Sequence, residues 1–88
     1  MTTTPYPMRI PQEILTLSQL HAREEHLDVT TSLRKFLYQG AEEYALTLVN
    51  EGRLSIGRAA ELLGMSIYDL HRTAEKHGIE LGATKSQA

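Results

Sequence analysis

The chain has 88 residues, of which 41% are hydrophobic and 23% are charged, and its formal net charge is -2. A chain of this length forms one domain, or two very small modules that share part of their core with a partner, so self-association is expected. It contains no cysteine, which excludes disulfides and thiolate metal sites, and no apolar run reaches the roughly 20 residues needed to span a bilayer. We therefore expect a cytoplasmic protein with no membrane contact, and residues 1–7 lack the charge and apolar pattern of a secretory signal.

The charge differs between the two parts of the chain. Residues 1–52 carry four basic and seven acidic side chains, whereas residues 53–88 carry five basic and four acidic ones. Because phosphate binding depends on concentrated Lys and Arg, the second part is the better candidate for contact with nucleic acid. Its excess of one positive charge predicts weak contact per protomer, so DNA binding would need a dimer.

The first predicted elements are a short strand and a helix. Apolar residues at the alternate positions Tyr6, Met8 and Ile10 predict an edge strand with one apolar face. Pro11 then suits the first turn of a helix, which is predicted from Pro11 to about His26.

A long second helix is predicted to follow. Asp28 is its predicted N-cap, because its carboxylate can accept hydrogen bonds from the free amides at a helix start, and Gly52 ends it. Gly40 lies inside this helix and is suited to a close crossing by another helix, such as that of a second protomer. The apolar face of this helix steps by three or four residues through Leu33, Leu37, Ala41, Tyr44 and Leu48.

Two short helices complete the chain. Ser55 is predicted to cap a helix from Ile56 to Leu63, and Ser66 is predicted to cap another from Ile67 to about His77, before Gly78. Ala60, Gly64 and Leu70 have the spacing of a helix-turn-helix: a small residue for close helix approach, a glycine in the turn, and an apolar residue that holds the second helix inward.

These elements predict a mainly α fold in which a short N-terminal strand and two helices precede a helix-turn-helix. Residues 1–52 are the predicted dimerisation region, residues 53–81 the helix-turn-helix, and residues 82–88 a flexible tail. The side chains expected at the dimer contact are Met8, Ile10, Leu33, Leu37, Ala41 and Tyr44. Phe36 and Val49 fall off that face and are predicted to form a second apolar patch for a protein partner.

The helix-turn-helix would present the start of its second helix to the major groove of double-stranded DNA. The alternative is that this unit only packs or binds a partner, with Ile67 and Tyr68 inside an interface. The residues predicted to contact DNA are Arg9, Arg53, Arg58, Ser66, Tyr68, His71 and Arg72.

The residues that suggest catalysis or metal binding lack the required spacing. No pair among His21, His26, His71 and His77 has the i, i+4 spacing of zinc ligands with an acidic third ligand. Adjacent glutamates on a helix point about 100 degrees apart, and the serines lack a positioned base. We therefore expect a binding protein with no enzymatic activity, no metal and no cofactor.

Two resemblances extend this interpretation. The segment MRIPQEILTL at residues 8–17, with DVTTSL at residues 28–33, resembles the ribbon-helix-helix repressors of the Arc and MetJ type. That resemblance implies an obligate dimer with paired strands and gives Arg9 a base-reading position. The whole chain, above all EGRLSIGRAAELLGMS at residues 51–66, resembles a family of small prokaryotic proteins regarded as antitoxins.

Members of that family are associated with PIN-domain ribonuclease toxins. The resemblance implies a homodimeric, DNA-binding antitoxin that neutralises such a toxin and represses its own operon. Two alternatives stay open: a stand-alone dimeric repressor, and a protein-binding adaptor whose helix-turn-helix has lost its affinity for DNA.

Overall fold

The structure is a computed structural model that describes residues 3–81. Within this range it contains the helices α1 (Gln12–Glu25), α2 (Val29–Asn50), α3 (Ile56–Leu63) and α4 (Ile67–Lys76). The chain divides into two compact units, Met1–Tyr38 and Gln39–Ala88, so α2 contributes to both. The predicted tail at residues 82–88 lies outside the described residues.

The predicted N-terminal strand is wrong, and with it the ribbon-helix-helix fold. Residues 3–11 belong to no helix or strand, and no strand occurs anywhere between residues 3 and 81. A strand is stabilised by hydrogen bonds to a neighbouring strand, and Pro5 and Pro7 lack the backbone donors that such a ladder needs. Alternating apolar residues were therefore insufficient to define a strand here.

The helix ends follow local signals in the sequence. The carbonyl of Pro11 accepts hydrogen bonds from the amides of Ile14 and Leu15, both at 3.0 Å, so α1 starts one residue later than predicted. At its other end, His26 adopts the left-handed conformation with φ 58° and ψ 46°, and the amide of Leu27 donates to the carbonyl of Ala22 at 2.8 Å. This arrangement stops α1 without a glycine.

Asp28 is the N-cap of α2, as predicted. Its Oδ2 accepts a hydrogen bond from the Thr31 amide at 3.0 Å, and its Oδ1 accepts one from the Thr31 hydroxyl at 2.6 Å. The Thr31 hydroxyl and then the Thr31 amide lower the pKa of Asp28, because both bonds favour the ionised carboxylate.

The N-terminal unit packs α1 against α2 through small and polar side chains. Ser18 and Ser32 are fully buried, and Ala22 is the buried apolar residue of positions 3–38. The Oγ of Ser32 lies 2.7 Å from Nδ1 of His21, whose ring contacts Phe36 with centroids 5.2 Å apart. Because so little apolar surface is buried, this unit has a small core.

The C-terminal unit has the larger apolar core. It consists of Leu46, Val49, Ala59, Ala60, Leu70, Ala74 and Leu81. Within this unit, α2 buries Ala45, Leu46 and Val49, while the predicted face leaves Ala41 and Tyr44 exposed. Val49 was predicted on an exposed patch with Phe36, but it is only 8% exposed because α2 turns that side toward the helix-turn-helix.

A polar contact joins the end of α4 to α2. The Nε2 of His77 lies 3.1 Å from Oε1 of Glu42, and each side chain is 18% exposed. Together with the apolar core, this contact holds α4 in place within the C-terminal unit. None of the helices in residues 3–81 is long and apolar enough to cross a membrane.

Candidate nucleic-acid interface

The helix-turn-helix predicted from Ala60, Gly64 and Leu70 is present. Gly64 ends α3 with φ 69°, and the following amide, that of Met65, donates to the carbonyl of Ala60 at 2.9 Å. Ala60 is 3% exposed and Leu70 is fully buried, so α3 and α4 pack closely at the positions that the spacing indicated.

Serine caps fix the first turns of α3 and α4. The Oγ of Ser55 accepts a hydrogen bond from the Arg58 amide at 3.0 Å, and the Oγ of Ser66 accepts one from the Asp69 amide at the same distance. Each bond satisfies a donor that a helix leaves free at its start. Ser66 is therefore a structural residue of α4 in addition to being a predicted DNA contact.

Four of the seven predicted DNA-binding residues lie on α4 or at its N-cap. Tyr68 is 70% exposed, and His71 and Arg72 are exposed one turn further along. The Arg72 guanidinium lies 5.9 Å from the centre of the Tyr68 ring, a cation–π contact that restricts the arginine while leaving its donors available. The arrangement presents an aromatic ring and a cation next to the Ser66 cap.

Arg53 and Arg58 lie in the same unit, and each is paired with a carboxylate. Arg53 Nη1 is 3.2 Å from Oε1 of Glu51, and Arg58 Nη1 is 2.9 Å from Oε1 of Glu61. All four side chains are more than half exposed, so these ion pairs contribute little to stability. Either arginine can exchange its carboxylate for a phosphate at small energetic cost.

The remaining predicted residues divide between the two units. Arg9, Met8 and Ile10 are exposed in the N-terminal segment, and Arg9 belongs to a different unit from the other predicted DNA contacts. Leu37 and Tyr44 are 64% and 62% exposed, so the predicted dimer face of α2 is largely uncovered. A Cβ added at Gly40 would meet no atom within 4 Å, so none of the helices in residues 3–81 crosses there.

An apolar groove lies in the N-terminal unit. Its volume is about 290 Å³, and it is lined by Met8, Ile10, Pro11, Ile14, Leu33, Phe36 and Leu37. Four of the predicted dimer residues and Phe36 therefore line one groove, although the prediction had assigned them to two separate surfaces.

Sequence reasoning missed the polar layer between α1 and α2. From the sequence, His21 was considered only as a possible metal ligand, and neither Ser18 nor Ser32 was assigned to a core, yet Ser32 and His21 are hydrogen bonded. The Oγ of Ser18 is buried and has no hydrogen-bond partner among the described residues. The signal was the spacing of small residues Ser18 and Ala22 on one face of α1, which permits a close approach by α2.

The described residues thus define a small α-helical protein with a C-terminal helix-turn-helix and an uncovered apolar surface on its N-terminal unit. Residues 6–87 match the sequence pattern of a family described as "Uncharacterised protein family (UPF0175)". The match covers nearly the whole chain, and the chain belongs to this family. No curated protein and no solved structure matches it.

Proposed function

We propose that this chain is a DNA-binding transcriptional regulator that contacts its operator through the exposed start of α4. The observation that carries the proposal is the helix-turn-helix itself, with Leu70 buried on one side of α4 and Tyr68 and Arg72 exposed on the other. In proteins with this motif, the start of the second helix contacts base edges in the major groove. Arg53 and Arg58 are suited to contacting the adjacent phosphates.

The regulator acts as a homodimer whose contact surface is the apolar groove of the N-terminal unit. The N-terminal unit buries only small side chains among its described residues, whereas its Met8 and Leu37 are more than half exposed. A second copy offers the same apolar surface, as a two-fold symmetric contact requires. This contact is made by side chains and involves no pairing of strands.

The proposal extends to an antitoxin-like role in the cytoplasm, in which the protein neutralises a PIN-type ribonuclease toxin and represses its own operon. Support comes from the resemblance carried by residues 51–66. Purification of the tagged chain from its native cells, followed by mass spectrometry, tests this role. A stoichiometric small nuclease is expected, and a dimer without a protein companion would favour a stand-alone repressor.

DNA binding is tested by titrating the full chain into the DNA upstream of its own gene. Arg72→Ala should weaken binding by about 1–3 kcal/mol if Arg72 contacts a guanine edge. The matched control is Arg23→Ala, which removes the same charge from α1 in the other unit. No binding by the wild-type chain would contradict the proposal and favour a protein-binding adaptor. An equal loss of DNA affinity in Arg72→Ala and Arg23→Ala would show that Arg72 makes no specific contact with DNA.

A further inference from the structure

Two large apolar side chains are exposed at the start of α4. Ile67 is 51% exposed and Tyr68 is 70% exposed, although Leu70, two residues further on, is fully buried. The core side of α4 is occupied by Leu70 and Ala74, so neither Ile67 nor Tyr68 is needed to hold the helix in the unit.

These side chains occupy the part of a helix-turn-helix that lies against base edges. Ile67 and Tyr68 are the first two residues of α4 after the Ser66 cap. His71 and Arg72 follow one turn later on the same sides of the helix, because residues at i and i+4 are neighbours. A helix that inserts its start into the major groove therefore brings Ile67 and Tyr68 to the bases before any other part of the unit.

The chemistry of these side chains selects one feature of the groove. Ile67 has no donor or acceptor, so it cannot read the hydrogen-bonding pattern of a base edge. The C5-methyl group of thymine is the apolar group that the major groove presents. We propose that Ile67 and Tyr68 recognise thymine methyl groups, so that each operator half-site carries thymines where the start of α4 lies.

Because residues 53–88 have little net positive charge, base contacts must supply a large share of the DNA-binding free energy in this protein. Residues 53–88 carry only one more basic than acidic side chain. Few cations are therefore available for phosphates, the contacts that usually supply most of the affinity for DNA. Burial of Ile67 and Tyr68 against methyl groups adds a contribution that does not depend on charge. The inference rests on the proposed DNA-binding function and specifies which base is read.

The test compares thymine with uracil, which pairs identically but lacks the methyl group. The full chain first selects duplexes from a random-sequence pool, and the selected duplex is then synthesised in both forms. We expect uracil to weaken binding by about fourfold for each contacted methyl group. Ile67→Ala and Tyr68→Ala should each move the affinity ratio between the two duplexes toward one.

The matched control is Leu62→Ala, which removes another exposed apolar side chain from the helix-turn-helix. Leu62 is 58% exposed but lies on α3, so this variant should keep the full ratio. Circular dichroism should show unchanged helix content in all three variants, because the side chains removed are outside the core. Arg72→Ala should weaken binding to both duplexes alike and leave the ratio intact.

The outcomes separate this inference from the proposed function. Equal affinity of the wild-type chain for the two duplexes would overturn methyl recognition while leaving DNA binding in place. A full ratio retained by both α4 variants would also overturn it, since other residues would then read the methyl groups. Failure of the wild-type chain to select or bind any duplex would overturn the DNA-binding function together with this inference, and would favour a protein-facing role for the exposed start of α4.

Discussion

His26 ends α1 in a backbone conformation that side chains resist. Its φ of 58° places it in the left-handed region, and it is the non-glycine residue with positive φ among the described residues. The close approach of Cβ to the carbonyl oxygen in this region costs about 1–2 kcal/mol. Glycine avoids that cost, but it makes the unfolded chain more flexible. This flexibility lowers the free energy of unfolding by about 0.4–1 kcal/mol and so offsets part of the gain.

His26→Gly should therefore stabilise the protein by about 0.5–1 kcal/mol, the difference between those two effects. Urea denaturation followed by circular dichroism measures the change. Gly64→Ala is the reverse substitution at φ 69° and should be destabilising. An unfolding midpoint for His26→Gly at or below that of the wild type would show that the histidine side chain makes a compensating contribution.

Asp28 makes the start of α2 sensitive to acid. Its hydrogen bonds with Thr31 lower its pKa in the folded state, so the ionised cap adds stability above the pKa of the unfolded chain. That contribution is lost as the pH falls through the folded-state pKa. Asp28→Ala should lower the urea midpoint at neutral pH, and the difference from the wild type should shrink as the pH falls below the ordinary aspartate pKa of about 3.9.

Asp28→Asn provides the control for this pH dependence. Asparagine keeps an oxygen that can accept from the Thr31 amide, but it does not titrate. The stability of the Asp28→Asn variant should therefore lack the loss at acid pH that we attribute to protonation of Asp28. A difference between wild type and Asp28→Ala that stays constant from neutral to acid pH would contradict the assignment.

At the scale of elements, Ser66 combines a structural role with a predicted contact. It caps α4 through the Asp69 amide at 3.0 Å, so Ser66→Ala should destabilise the protein by about 1 kcal/mol. Ser66→Asp keeps a good cap but places a negative charge at the proposed DNA surface. We expect this variant to retain the wild-type unfolding midpoint and to bind DNA more weakly, as measured by denaturation and by fluorescence anisotropy. Equal DNA affinity of Ser66→Asp and wild type would exclude Ser66 from the interface.

The helices were predictable because their boundaries depend on neighbouring residues. Asp28, Ser55 and Ser66 cap the helices for which they were predicted, and Gly64 makes the turn. A strand depends on a distant partner, and the alternation of Tyr6, Met8 and Ile10 does not show whether that partner exists. Pro5 and Pro7 were the local signal against a strand. The burial of Leu46 and Val49 was missed for the same reason, since it follows from where α3 and α4 pack and not from the periodicity of α2.

At the scale of the whole molecule, the two units differ in what they bury. The C-terminal unit has its own apolar core, whereas the described part of the N-terminal unit leaves a groove of about 290 Å³ uncovered. Exposed apolar surface of this kind marks an interaction site in soluble proteins. We therefore expect a second copy of the chain to cover this groove.

Leu37→Asp should separate association from folding. Leu37 is 64% exposed, so the substitution leaves the fold of a single chain intact, but it would place a charge inside the proposed dimer contact. Sedimentation velocity should show a shift from dimer to monomer with unchanged helix content. Gln39→Asp, which adds the same charge on another side of α2, should remain dimeric. A Leu37→Asp variant that sediments as the wild type does would place the dimer contact elsewhere.

The most direct test of the central claim is the location of DNA on the full chain. Backbone amide chemical shifts recorded during titration with the selected duplex report this residue by residue. The account predicts that the largest changes fall between Ser66 and Arg72 at the start of α4. Changes confined to the N-terminal unit, or spectra that stay unchanged at saturating DNA, would contradict it.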